Sequence, residues 1–166
     1  MRALALALAL TLAPAAPAHA NEARKHSFER GVAELRAGRA AQAVATLGEV
    51  FASLRGEGRI AESGLAAHWL AQAMEASAHA QADEAYAYAM ETLADAPETR
   101  EFIESAKALM RRDPEGRGEQ AAERLIARAV KGLSEETREA AIAAVIQHYV
   151  ARQREDLRRA ATRRLA

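Results

Sequence analysis

Residues 66–97, AAHWLAQAMEASAHAQADEAYAYAMETLADAP, decide how the chain folds. Trp69 is followed four positions later by a small residue (Ala73), twelve beyond that by another (Ala85), and twelve further on by Pro97. Two antiparallel helices meet that spacing when they cross so closely at Ala73 and Ala85 that larger side chains would push them apart. A turn is then required between Ala78 and Ala82, and the proline stops the second helix.

Outward from this stretch, Gly31 to Ala43 repeats the twelve-residue interval, and Leu47 stands to Ala43 as Ala89 stands to Ala85. The two units superpose when Gly31 is laid on Ala73 and Ala43 on Ala85. Together they resemble a tetratricopeptide repeat, W-x2-L-G-x2-Y, then A-x3-F, then P, although their offset exceeds the family's period of about 34 residues. The surplus falls on the glycine-rich linker around Gly56, Gly58 and Gly64, as a longer loop or a lengthened helix start. Ser27, Arg30, Glu34 and Arg55 stand in the first unit where the family has tryptophan, leucine, tyrosine and proline. Gln72, Ala76 and Ala89 replace leucine, tyrosine and phenylalanine in the second, and a third pair places Phe102 and Ala106 at the anchor and small positions.

The resemblance implies an all-α fold of two to three antiparallel helix hairpins over residues 21–133, closed by a long C-terminal capping helix over 134–166. It also implies a non-enzymatic module that holds a peptide or a partner helix in a groove lined by the first helix of each pair. Carried over by matching intervals, the groove-facing residues are Lys25, Phe28, Val32, Leu35 and Arg36 from the first helix, and Leu70, Met74 and Ser77 from the third. Apolar side chains bordered by cations suit a segment with hydrophobic anchors and an acidic flank.

The start of the chain, MRALALALALTLAPAAPAHA, has one charge at Arg2, an apolar Leu/Ala run and the small-x-small ending Ala18-His19-Ala20. That pattern predicts a secretory signal peptide cleaved after Ala20, hence a soluble protein exported to the periplasm or beyond. No cysteine is present, so stability is expected from a packed core, and thiol catalysis is excluded. Abundant Ala, Leu, Glu and Arg favour helix nearly throughout.

Seven helices are expected. A mobile lead at Asn21–Arg24 precedes the first, whose stripe is Phe28, Val32 and Leu35 and whose end is Gly38 in a left-handed cap. Gly31, inside it, predicts another backbone close by. The second runs from Ala40 to about Leu54, with Ala43, Val44, Leu47, Val50, Phe51 and Leu54 on one side. The third and fourth cover about 60–77 and 82–95, the fifth about 98–111. The loop Asp113–Gly118 breaks the chain before a sixth helix with Ala122, Leu125, Ile126, Ala129 and Val130 inward. Ser134 caps the seventh, whose stripe Ile142, Val145, Ile146, Tyr149 and Val150 is expected to pack over the sixth.

Net charge is zero but uneven. Eight acids against Arg100 lie between Glu75 and Glu104, and six arginines against Glu155 and Asp156 follow Val150, so the basic tail has an acidic stretch available within the chain. Chemistry is sparsely signalled. Glu75, His79 and Asp83 share a helix face only if no turn intervenes, and Glu22 with His26 lacks a third ligand, so no metal or cofactor is expected. His68 beside Trp69 is read first as a partly buried helix histidine. His26 and Ser27, neighbours on a helix, point apart and form no triad. Few aromatics accompany the arginines, which disfavours nucleic acid, and contact of the tail with anionic membrane has little support. Leu133-Ser134-Glu135-Glu136-Thr137 resembles the Leu-Thr-x-x-Gln motif of the Spy and CpxP family, which implies the alternative of a small exported stress chaperone or metal-responsive protein.

Overall fold

The computed structural model describes residues 18–96 and 99–165, with side chains described between Ala20 and Asp156. The described residues form seven helices and no strand: α1 (Ala18–Arg36), α2 (Ala40–Gly56), α3 (Ile60–Ala76), α4 (Ala82–Leu93), α5 (Thr99–Arg112), α6 (Arg117–Gly132) and α7 (Glu135–Leu165). Each packs on the next as a chain of antiparallel hairpins. The odd-numbered helices also touch one another, α1 on α3, α3 on α5 and α5 on α7, which makes theirs the closer-packed side of the stack. The even-numbered helices are bridged by longer side chains. Phe51 of α2 meets Tyr88 of α4 edge to face at 5.1 Å, and Arg124 of α6 reaches Glu91 of α4 at 3.2 Å.

The first three turns share one device. Gly38, Gly58 and Ala78 all hold positive φ (75°, 72° and 56°) and recur at equal intervals along the chain. After each, the next amide bonds back to a carbonyl of the helix just ended: Arg39 to Glu34 at 2.9 Å, Arg59 to Leu54 at 3.0 Å, His79 to Met74 at 2.8 Å. These bonds satisfy carbonyls that a helix end leaves bare. Only Glu57, Gly58 and Arg59 separate α2 from α3, so the glycine-rich linker is no loop, and its residues lengthen the helices instead.

This changes the register of the repeat. The turn between α1 and α2 is confined to Ala37, Gly38 and Arg39, whereas the turn between α3 and α4 runs from Ser77 through Gln81. The longer turn sets α3 back by two positions relative to α4. Ala85 therefore matches Ala43, but Gly31 matches Ala71 rather than Ala73. At Gly31 an added Cβ would lie 2.7 Å from Leu47 Cγ and 3.3 Å from Thr46 Cγ2, so the close neighbour is a side-chain pair of α2 and not its backbone.

The expected signal segment, 1–20, lies outside the described residues as far as Pro17, and α1 runs from Ala18 straight through the expected cleavage point. Asn21–Arg24, expected as a mobile lead, is helical because it is tied down. Arg24 pairs with Glu57, and Asn21 Oδ1 accepts from Arg24 at 3.1 Å and from Arg59 at 2.8 Å.

Two glycines that read as loop residues serve helix crossings. Gly64 is buried in α3 against Thr92 and Leu93 of α4, where a Cβ would collide with the Thr92 hydroxyl. Gly118 opens α6 so close to α5 that a Cβ would stand 2.5 Å from Asp113 O and 2.9 Å from Met110 Cα. The break itself is only Asp113–Gly116, and the Asp113 carboxylate accepts from the amides of Gly116 (3.1 Å) and Arg117 (2.8 Å) to cap α6.

The main core runs through α3–α7, with Phe102, Leu93, Leu109 and Leu125 fully buried among alanines. Two smaller clusters hold α1–α3, one around Val32, Ala43, Leu47, Leu70 and Ala73, the other around Val50, Leu54 and Ala66. α7 packs on α6 and α5, but of the expected stripe Val145 alone is buried. Ala141, Ala144, Val145 and His148 are buried, while Ile142, Ile146, Tyr149 and Val150 stay exposed, as do Ile126 and Val130 on α6. Ala141 and Ala144 let α7 approach closely, and the isoleucines are left exposed.

Candidate functional site

The charge pattern resolves within the chain. Glu84 and Glu91 on α4, and Asp95 in the turn just after it, face Arg117 (4.0 Å), Arg124 (3.2 Å) and Arg128 (3.9 Å) on α6, in the same order along the chain. Glu75 is met by Arg111 (2.8 Å) and Arg112 (3.6 Å), and Arg112 also pairs with Asp83. Among the described residues, these partners of the acidic stretch come from α5 and α6.

Those pairs also occupy the residues weighed as metal ligands. Burial alone would raise the Glu75 carboxyl, but the Tyr86 hydroxyl (2.7 Å) and the two guanidinium groups outweigh it and hold the carboxyl below its ordinary range. His79 Nδ1 accepts from the Gln81 amide at 3.3 Å, inside the turn that separates Glu75 from Asp83. Among the described residues no three ligands converge.

His68 is buried, not merely half-covered, and crosses from α3 to α5. The Gln72 amide nitrogen faces its Nε2 at 2.7 Å, so the ring accepts there and donates from Nδ1 to Ser105 Oγ at 2.8 Å. Burial presses its pKa down to about 4, against the pull of Glu104 and with the help of Arg100. A neutral histidine beside a serine has the atoms of a base and nucleophile, but Ser105 is fully buried, so substrate has no access to it. The pair acts as a polar tie between helices. On α7, His148 is also buried, and its Nε2 lies 3.7 Å from Glu119, beyond hydrogen-bond range. Glu119 is taken by Tyr149 (3.0 Å) and Arg152.

An open groove of about 620 Å³ lies where α1 meets α3. Phe28, Val32 and Arg36 of α1 line it together with Trp69, and the Arg36 guanidinium sits 5.7 Å above the indole. Lys25 is exposed one turn before, 3.9 Å from Glu29. The other residues assigned by interval lie elsewhere. Leu70 is buried in the core between the first three helices, Met74 packs against that core, and Leu35 lines a separate polar hollow with Glu75 and Tyr86. Ser77 turns its hydroxyl onto the carbonyls of Ala73 (2.9 Å) and Met74 (3.2 Å) of its own helix. Trp69 is the residue that interval matching passes over. The repeat pattern makes it a core anchor, yet it stands half-exposed on the groove, and the signal for this is Arg36 at the cation-bearing end of α1.

No protein-family model matches the chain, and neither a curated protein nor a solved structure matches it.

Proposed function

We propose that the protein is a non-catalytic, tetratricopeptide-like module that holds a segment of a partner polypeptide against α1 and α3. One observation carries this reading: Phe28 and Trp69, half-covered aromatics on neighbouring helices, wall an open groove with Arg36 across its rim. Rigid aromatic walls provide contact area at little entropic cost, and a rim cation favours a carboxylate on the ligand. The ligand class is thus an apolar anchor followed by an acidic residue. The leader-like first twenty residues support action in an exported compartment.

Trp69 is the sole tryptophan, so its emission reports on the groove directly. Short peptides pairing leucine or phenylalanine with glutamate should shift that emission saturably, and Arg36→Glu should weaken them while the far-UV helical signal persists. Phe28→Asp and Met74→Asp separate the two parts of the assignment: the first should abolish binding, the second should disturb the fold. Peptides that leave Trp69 emission unchanged, or bind equally to Arg36→Glu, would remove the groove from consideration.

A further inference from the structure

We propose that α7 is a strap that swings away from α5 and α6 as a unit, hinged at Gly132 and latched by the Glu119 carboxylate. Three side chains from one turn of α7 converge on that group. The Tyr149 hydroxyl donates to it at 3.0 Å, the Arg152 guanidinium pairs with it, and His148 Nε2 stands 3.7 Å away. Glu119 lies in the first turn of α6, whereas the connection to α7 follows the last residue of α6, Gly132. The latch therefore closes the end of the hairpin farthest from its hinge. Gly132 holds φ 123°, and a Cβ added there would meet nothing within 4 Å, so no packing restrains the backbone at that point.

What else holds the strap is small. Among the described residues α7 buries Ala141, Ala144, Val145 and His148, while Ile142, Ile146 and Val150 remain exposed. Hydrophobic stabilisation scales with the apolar area removed from water, so two alanines and a valine contribute far less than the Phe102 and Leu109 of α5 or the Leu125 of α6. His148 works against docking. Its Nε2 is shut away from solvent with no hydrogen-bond partner, a cost that disappears once water reaches the ring. In a stack held by nearest neighbours the last element can open while the others stay closed. The contacts to Glu119 decide that balance.

Opening uncovers two apolar strips together. Met110 of α5 shares a cavity of about 640 Å³ with Ala144 and His148, and Leu125 and Ala129 of α6 share a groove with Ala141 and Val145. Both lie at the end of the stack away from the groove between α1 and α3, so the strap stands or falls independently of binding there.

Native-state amide exchange reads the opening directly. In the wild type, residues 141–152 should exchange as one block and faster than α3–α5. Glu119→Ala should accelerate that block roughly tenfold and leave α3–α5 unchanged. Glu123→Ala, which removes an exposed acid one turn further along α6, should not. Tyr149→Phe should accelerate the block in the wild type but add nothing in Glu119→Ala, because the two groups share one bond. His148→Leu, which keeps the bulk and removes the orphaned nitrogen, should slow opening roughly tenfold. Exchange of α7 in step with α3–α5, equal acceleration by Glu123→Ala, or a Tyr149→Phe effect that survives in Glu119→Ala would each overturn the latch. Faster opening in both His148→Leu and His148→Met would overturn the part assigned to His148.

Discussion

Ala78 is the residue at which sequence and backbone disagree. It holds φ 56° in a turn whose two counterparts, Gly38 and Gly58, are glycine. A Cβ in the left-handed region crowds the following carbonyl, at a cost of about 1 kcal/mol. Ala78→Gly should therefore raise stability by about 1 kcal/mol, and Gly38→Ala or Gly58→Ala should lower it by a similar amount. Nothing lies within 4 Å of a Cβ at either glycine, so the effect is one of backbone alone. Urea midpoints at constant m value check all three, and a destabilised Ala78→Gly would refute the shared turn. Gly118→Ala fails differently. Its Cβ meets the backbone of α5, which no side-chain rotation relieves, and a loss of about 1 to 3 kcal/mol should follow. Gly38 announced its turn because it follows a finished apolar stripe. Gly64 and Gly118 could not be told from linker glycines, since the partner that demands a missing Cβ lies on α4 in the one case and at the end of α5 in the other.

Between elements, the tie from His68 on α3 to Ser105 on α5 makes a pH prediction. The folded pKa, about 4, lies below the ordinary 6.5, so folding favours the neutral ring. Its contribution is complete above pH 6.5 and is lost as pH falls from 6.5 towards 4, where the unfolded chain takes up a proton that the folded chain refuses. Between pH 7 and pH 5 the loss is on the order of 2 kcal/mol, and His68→Gln should flatten the slope even where it lowers stability overall. The depressed Glu75 carboxyl adds a second decline below its ordinary value of 4.5, lost as pH falls through its folded pKa, so the two windows are separable in denaturant titrations. An unchanged pH slope in His68→Gln would deny the buried neutral state. Helix order was legible because Gly38, Pro114, Gly132 and Ser134 punctuate it, and helix faces were legible where one stripe is apolar, as on α2. α7 has two stripes, and a window of sequence gives the bulkier one precedence. The packed face takes Ala141 and Ala144 together with Val145 and His148, and the isoleucines stay exposed. The salt-bridge ladder between α4 and α6 was equally hidden. Its partners are two helices apart, and counting charges along the chain leaves them as one acidic stretch. Interval matching names Phe28, Val32 and Arg36, which line the open groove, but the two-residue shift of α3 against α1 leaves Leu70, Met74 and Ser77 off it.

For the molecule as a whole, the three core clusters define how it should come apart. The large one binds α3–α7, the two small ones bind α1–α3, and among the described residues Phe51 is the one side chain that packs against all three. Its edge-to-face contact with Tyr88 joins α2 to α4 across the even-numbered side, where the helices themselves lie further apart. A stack held by nearest neighbours can open from one end without dissolving the other. Phe51→Ala should then cost about 2 to 4 kcal/mol, the lower part of the range for core phenylalanines because the ring is only partly buried. The loss should fall unevenly. Amide exchange in α1 and α2 should accelerate most, while α5 and α6, built on Phe102, Leu109 and Leu125, should keep most of their protection. Leu109→Ala makes the opposite change, since a cavity in the large cluster weakens the element on which every other hairpin leans, and protection should fall throughout. Equal acceleration of all seven helices in Phe51→Ala would mean that the chain unfolds as one cooperative body, and that the clusters are divisions of contact only and not of stability.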